Sequence, residues 1–316
     1  MSQTKATILI TGGSGYIGSL LTPFLLNSNY KVIVLDNLFY NQTTLMDCFA
    51  DTNFSFYKGS ISNIELLKKL ISKSDIIIPL AAIVGAPASK KYFELSKNFN
   101  LEAPTAMIKL ISKNQKVIFP TTNSGYGIGD KDSYCDETSK LRPISDYGKH
   151  KVIIEDMLLQ TGNAITLRLA TVFGMSPRMR SDLLVNNFVF NALKDGYLIL
   201  FEEHFRRNYI HVRDVVNTFK YSIDNYDRMK NQPFNVGLSD ANLTKRQLAE
   251  KIKSFLPETY IHSAKVGEDL DKRDYYVSNK KIESLGWKAK FSLDFGIKEL
   301  INGYQVMNFN KYSNLS

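Results

Sequence analysis

Thr11-Gly12-Gly13-Ser14-Gly15-Tyr16-Ile17-Gly18 follows directly on the apolar run Ala6-Thr7-Ile8-Leu9-Ile10. Glycines at 12, 15 and 18 leave no side chain where a strand turns sharply into a helix. Backbone N–H groups and a helix N-terminus then approach a pyrophosphate closely. A Gly-rich loop alone also marks ordinary turns. Here the strand before it and the amphipathic segment Tyr16 to Asn27 after it point to a dinucleotide site. The acidic residue expected about 20 positions further on is Asp36, at the end of a second apolar run, Lys31-Val32-Ile33-Val34-Leu35. A carboxylate there suits an adenosine ribose and repels a 2′-phosphate, so NAD is expected rather than NADP. The competing role for Asp36 is a turn or helix cap.

Working outward, apolar strands alternate with helical segments. Phe54 to Tyr57 reads as a third strand, Ile64 to Ile71 as a helix, Asp75 to Ala82 as a buried strand entering a small-residue loop. A helix from about Phe99 to Lys113, strand Lys116 to Phe119, helix Tyr147 to Gln160 and strand Ala164 to Arg168 continue the alternation. This pattern predicts an α/β fold: a Rossmann-type, doubly wound parallel sheet. Beyond Thr171 the alternation weakens, with a loop at Pro177 to Arg180, a helix at Asp182 to Leu193 and a charged turn at Glu202 to Arg207. Strands are expected at Leu198 to Leu200, Tyr209 to His211 and Tyr260 to His262, and helices from Val212, Thr244 and Ser292. Phe234-Asn235-Val236 reads as a return to the main sheet. The expected division is 1–170 plus about 210–238 for the dinucleotide-binding domain, with about 171–209 and 239–316 forming a smaller C-terminal substrate lobe.

The chain has 316 residues, 40 Lys and Arg against 31 Asp and Glu, and a formal net charge of +9. The lysines spread over solvated helix faces, with no basic stripe interleaved with stacking aromatics, so nucleic acid is not an expected partner. An anionic small substrate fits the charge. Two cysteines, four histidines and no metal-ligand spacing predict no disulfide framework, no metal and a reducing, cytoplasmic setting. No apolar run reaches the roughly 20 residues that span a bilayer, and no signal peptide or membrane partner is expected. The protein is expected to be soluble.

A second constellation is Tyr147-Gly148-Lys149-His150-Lys151 at a helix start. Four residues apart on a helix, Tyr147 and Lys151 share one face. An ammonium beside a phenol favours the phenolate, which makes Tyr147 a base for a hydroxyl proton while hydride leaves the same carbon. Tyr-x-x-x-Lys also arises by chance in a Lys- and Tyr-rich chain; its place behind the Gly-rich loop gives it meaning.

Ordered matches run along nearly the whole chain: Thr11-Gly12-x-x-Gly15-x-x-Gly18, Asp36-Asn37-Leu38, Leu80-Ala81-Ala82, Asn100, Tyr126-Gly127, Tyr147-x-x-x-Lys151 and Arg168. They continue through Arg207-x-Tyr209-Ile210-His211-Val212, Phe234-Asn235-Val236-Gly237, Arg273 and Leu285-Gly286-Trp287. In these the chain resembles the extended short-chain dehydrogenase/reductases, in the branch of NAD-dependent sugar-nucleotide epimerases, dehydratases and dehydrogenases. The resemblance implies Tyr147, Lys151 and Thr122 as catalytic residues, with Thr121 and Ser124 as neighbours. It implies NAD contacts from Gly12, Gly15, Tyr16, Ile17, Gly18, Asp36, Asn37, Ser60, Ile61, Leu80, Ala81, Ala82, Asn100, Tyr147 and Lys151. Substrate contacts fall on Val84, Gly85, Asn123, Ser124 and Thr171. Guanidinium forks match phosphate oxygens, so Arg178, Arg180, Arg207 and Arg273 are candidates for the substrate pyrophosphate, against surface salt bridges. His204 and His211 are expected to be structural or rim groups.

Departures narrow the reaction. In the resembled 4,6-dehydratases the Thr is followed by Asp-Glu, which protonates the leaving hydroxyl and abstracts the C5 proton; here the pair is Asn123-Ser124. Ser60 stands where the family usually has Asp near the adenine, and Pro79 where His often precedes Leu-Ala-Ala. What remains is oxidation at a sugar carbon, most often C4. The stretches Ala82 to Pro87, Ala170 to Arg180 and Glu202 to Arg207 resemble bacterial enzymes that oxidise C4 of a GDP-linked heptose for capsule building blocks. The expected reaction is GDP-D-glycero-alpha-D-manno-heptose to its 4-keto form, with a small oxo acid as outlet for the reduced cofactor. The alternatives are a UDP- or GDP-sugar 4-epimerase, then a 4,6-dehydratase, and outside catalysis an NAD-binding sensor or scaffold. A homodimer through helices 99–113 and 147–160 is also implied by the resemblance.

Overall fold

The computed structural model describes residues 5–129, 133–264, 273–307 and 314. Strand β1 (Thr7–Thr11) passes through the glycine loop into helix α1 (Gly18–Asn27), and β2 (Lys31–Asp36) follows. Then come β3 (Phe54–Lys58), α2 (Ile64–Ile71) and β4 (Ile76–Pro79). Asn63 caps α2 by accepting the Leu66 N–H, which satisfies one of the unpaired amides of a helix start.

The next segment differs from the expected single helix at 99–113. Short helices α3 (Ala86–Lys91) and α4 (Phe93–Lys97) precede a π-helical turn at Asn98–Glu102, and α5 (Ala103–Leu110) completes the run. The π turn adds a residue to one helical turn and shifts the apolar face, so a strict 3.6-residue period misses the segment before it. The helical run ends three residues short of Lys113 because Ile111 is extended.

Strand β5 (Lys116–Thr122), β6 (Tyr134–Cys135), α6 (Asp146–Gln160) and β7 (Ala164–Leu169) come next. The second half holds β8 (Thr171–Phe173), α7 (Leu184–Lys194), β9 (Tyr197–Leu200), β10 (Arg206–His211) and α8 (Val212–Asp224). Strand β8 was not expected, and Arg206 and Arg207 begin β10 rather than ending a turn. After α9 (Tyr226–Met229), β11 (Gln232–Val236) and β12 (Asn242–Thr244) comes α10 (Lys245–Lys253), started by a reciprocal Thr244–Gln247 capping box. The chain closes with β13 (Tyr260–Ser263), β14 (Tyr276–Val277), α11 (Lys280–Ser284) and α12 (Leu293–Tyr304).

Seven strands form one parallel sheet in the order β11-β7-β5-β4-β1-β2-β3. This is a Rossmann-type α/β fold, with the order reversing beside β1. Central strands such as β4 and β7 are buried along their whole length, as a sheet covered on both faces requires. Smaller sheets, β12-β10-β8 and β13-β9, lie in the second half, and β14 pairs back onto β6. Cys135 and Val277 of that pair join Tyr126 and Tyr275, while the other two sheets contribute to a separate apolar cluster that includes Phe173, Val189, Leu198, Leu248 and Ile297. Ile17, Leu20 and Val172 pack against both this cluster and the main core, so the two share a seam beside the glycine loop. Among the described residues no helix is long and apolar enough to cross a membrane.

Candidate active site

The glycine loop is held where the reversal of strand order opens a crevice. Gly12 has φ +72°, and a Cβ there would lie 2.6 Å from the Ala81 nitrogen. A Cβ at Gly18 would lie 2.5 Å from the Gly13 carbonyl oxygen. Both positions therefore need glycine, one against the loop after β4 and one at the helix entry. Gly15 donates its N–H to Gly12 O at 3.1 Å. The open side of this turn, Gly12, Gly15, Tyr16, Ile17 and Gly18, lines a cavity at the carboxyl ends of the sheet strands.

Asp36, Asn37, Ile61, Leu80, Ala81 and Ala82 line the same cavity. The Asp36 carboxylate accepts the Ser14 N–H at 2.9 Å, the Leu38 N–H at 2.8 Å and Gln42 Nε2 at 3.3 Å. Asp36 thus both ties its own turn and presents to the cavity. Burial raises its pKa from the ordinary carboxylate value, opposed by the two amides. Gln42 went unread in the sequence, because it lies in an irregular connection with no period to mark it. The glycine cradle, the helix end and the buried carboxylate in one cavity fit a dinucleotide.

Thr122, Ser124, Tyr147, Lys151, Val84, Gly85, Thr171, Arg178, Arg180 and Arg273 also line this cavity. Ser145 starts α6 by accepting the Gly148 N–H at 3.2 Å, which sets Tyr147 and Lys151 on the cavity face. Lys151 Nζ donates to Pro120 O at 3.1 Å and sits 4.4 Å from the Phe119 ring centroid. Burial drives its pKa down to about 7. Arg178 stacks on Tyr40, 4.7 Å from the ring centroid, and donates to Asn314 Oδ1 at 3.2 Å. Arg180 forks onto Asp182, with Nε 3.2 Å from Oδ1. Tyr40, Asp182 and Asn314 carried no sequence signal, since their partners are set by the fold. The Tyr16 hydroxyl donates to Gly174 O at 2.7 Å, which joins the glycine loop to the second core.

Four sequence candidates lie outside the cavity wall. Ser60 accepts the Ser62 N–H at 3.1 Å. Asn100 is buried and clamps the loop after β4, accepting the Ile83 N–H at 3.0 Å and donating to Ile83 O at 2.8 Å. Asn123 is buried beneath its two cavity-lining neighbours. Arg207 is buried on β10 and donates to Arg206 O at 2.9 Å. Of the histidines, His211 bonds Glu299 through Nε2 at 2.9 Å and accepts the Arg213 N–H through Nδ1, which fixes it inside the second core. Among the described residues no group of three His, Cys, Asp or Glu side chains is placed to hold a metal ion.

Residues 8–237 match the NAD dependent epimerase/dehydratase family. A putative UDP-glucose 4-epimerase of Methanocaldococcus jannaschii is 27% identical over 310 residues, 93% of this chain and 97% of that protein. A trifunctional UDP-glucose 4,6-dehydratase, 3,5-epimerase and reductase of Arabidopsis thaliana is 26% identical over 96% of this chain. The chain spans 47% of that relative's length. The crystal structure of dTDP-glucose 4,6-dehydratase from Bacillus anthracis in complex with NAD superposes with a TM-score of 0.82 at 23% identity, covering 99% of this chain and all of that one. The match over residues 8–237 spans most of the cavity just described, and the chain belongs to the NAD dependent epimerase/dehydratase family.

Proposed function

We propose that the protein oxidises a nucleotide-activated sugar at C4 to its 4-keto form. The observation that carries this is the pair Asn123-Ser124 after Thr122. Neither side chain is an acid or base near neutral pH, Asn123 is buried outside the cavity wall, and the Ser124 hydroxyl is held by Arg273. Elimination of water, which needs an acid and a base at these positions in the resembled dehydratases, has neither here.

In this reading Gly12, Gly15, Ile17 and Asp36 hold NAD, and Lys151 binds its nicotinamide ribose. When bound, NAD accepts the hydrogen of C4 with its electron pair. Tyr147 takes the proton of the C4 hydroxyl, and Thr122 bonds the same oxygen. Arg178, Arg180 and Arg273 supply positive charge for the substrate pyrophosphate. The 171–209 and 239–316 segments are the sugar-nucleotide lobe. GDP-D-glycero-alpha-D-manno-heptose is the substrate we favour: of the three stretches read as similar to GDP-heptose oxidising enzymes, 82–87 and 170–180 contribute to the cavity wall and 202–207 does not. A small oxo acid then reoxidises the cofactor. A second copy docks through the segments 99–113 and 147–160, where Ile153 on α6 is exposed.

A 4-epimerase is the second reading, favoured by the near full-length match to the archaeal protein named as one. The test is incubation with NAD and a panel of GDP-, UDP- and dTDP-sugars, following NADH absorbance and product mass. The expected product is lighter by two hydrogens with NADH formed in equal amount. An isomer of unchanged mass without net NADH selects the epimerase. Loss of water, or tight NAD binding with no turnover of any sugar nucleotide, overturns the proposal.

A further inference from the structure

Three side chains meet at the carboxyl end of β5. Arg273 Nη1 donates to Ser124 Oγ, and the Ser124 and Thr122 hydroxyl oxygens are 2.9 Å apart. Thr122 Oγ1 also accepts the Ser124 main-chain N–H at 3.1 Å. All three residues line the cavity that holds Tyr147 and Lys151.

A hydroxyl has one hydrogen to give and two lone pairs to receive with. Ser124 Oγ receives its hydrogen bond from a guanidinium, and a hydroxyl polarised by a cation is the stronger donor of a pair. The hydrogen shared with Thr122 therefore comes from Ser124. Both lone pairs of Thr122 Oγ1 are then filled, one by the Ser124 O–H and one by the Ser124 N–H. What Thr122 has left is its own hydrogen, and the cavity is where it goes.

The geometry points to Ser124 as a positioning residue that links the Arg273 guanidinium to the Thr122 hydroxyl and makes that hydroxyl a donor to the reacting sugar oxygen. The inference rests on the C4 oxidation proposed above. In that step the O4–H proton goes to Tyr147, the C4–H bond breaks with its electron pair passing to the bound cofactor, and C4–O becomes a double bond. Thr122 transfers no proton. An acceptor at Thr122 would compete with Tyr147 for the one sugar proton; a donor leaves that proton to Tyr147 and stabilises negative charge on the oxygen. Arg273 thereby acts on the reacting centre through two hydroxyls, at a position where a dehydratase needs a carboxylate.

The experiment is a double-mutant cycle on kcat and KM with Ser124→Ala, Arg273→Gln and the pair together. Ser124→Ala is expected to lower kcat about tenfold with KM for the sugar nucleotide nearly unchanged, and Ser124→Thr to restore it. Arg273→Gln is expected to raise KM in both backgrounds, as its charge at the pyrophosphate requires, and to lower kcat only where Ser124 is present. Additive losses in kcat, or an Arg273→Gln effect confined to KM, would overturn the relay and leave Arg273 as a pyrophosphate ligand alone. A high-resolution crystal structure of the NAD complex reads the relay without turnover. Arg273 and Thr122 both bonded to Ser124 support it, and Arg273 turned away from Ser124 overturns it, whatever sugar the protein is found to oxidise. Failure of the native protein to oxidise any sugar nucleotide removes the C4 reading instead.

Discussion

Arg168 on β7 and Glu155 on α6 form a buried ion pair in which Nη2 lies 2.6 Å and Nε 3.0 Å from the same carboxylate oxygen. Arg168 Nη1 continues to the Tyr126 hydroxyl at 3.0 Å, and that hydroxyl donates to Asn235 Oδ1 at 2.7 Å on β11. One guanidinium therefore ties the helix that carries Tyr147 and Lys151 to the strands behind it. Arg168→Met leaves the Glu155 carboxyl without its partner in the core, at a cost of about 3–5 kcal/mol. Urea unfolding of the variant checks this, and an unchanged midpoint would show that the pair does not hold α6.

Gly12 and Gly162 make a controlled comparison, because both have positive φ and only one is crowded. Gly162 has φ +80° with nothing within 4 Å of a built Cβ, whereas Gly12→Ala would collide with the Ala81 backbone. Gly162→Ala is expected to cost about 1 kcal/mol of backbone strain and to leave NAD affinity as it is. Gly12→Ala is expected to cost more and to weaken NAD binding at least about tenfold, because the loop must move off β4. Calorimetric titration with NAD of both variants separates strain from site geometry.

The Ser14 and Leu38 amides bond different oxygens of Asp36, so Asp36→Asn removes the charge facing the cavity and keeps an acceptor for only one of them. If Asp36 faces the ribose of NAD, NAD affinity falls by about tenfold, and NADP, no longer repelled, closes much of the gap. Fluorescence titration with both cofactors gives the ratio. A ratio equal to that of the native protein would leave Asp36 as the cap of its own turn.

The glycine loop, the sheet strands and the start of α6 were legible because each is local: an apolar run, a glycine spacing, a Tyr-x-x-x-Lys interval. The four-residue interval between Tyr147 and Lys151 needed only helical geometry to put both on one face. The contacts that shape the cavity were not legible for the same reason. Arg273 reaches Ser124 across 149 positions and Asn314 reaches Arg178 across 136, and no period or motif links such pairs. Arg207 matched a family position, yet it is buried outside the cavity wall, which only the three-dimensional course of β10 reveals. The π turn at Asn98–Glu102 hid α4 by breaking the helical phase.

Tyr147→Phe removes the phenolic oxygen and keeps the ring against its neighbours. With Tyr147 as base, sugar oxidation is expected to fall at least about a hundredfold, while thermal unfolding and NAD affinity change little. Single-turnover formation of NADH is the measurement. Native rates in this variant would remove Tyr147 from the chemistry and return the site to a binding role.

Lys151 couples the site to stability through pH. Its folded pKa of about 7 lies below the ordinary lysine value, and burial is the cause. Below pH 7 both the folded and unfolded chains carry the charge, and the folded state bears the full cost of burying it. Between pH 7 and about 10.4 the unfolded chain binds more protons than the folded one, so this group makes stability rise with pH across that window. Lys151→Met removes the buried charge and keeps much of the stem's packing. The variant is expected to gain most over the native protein at pH 6 to 7, with the difference shrinking steadily toward pH 10. Paired urea titrations at several pH values test the slope. A difference independent of pH would show that Lys151 keeps its charge in the folded state across this range, held by more than its bond to Pro120.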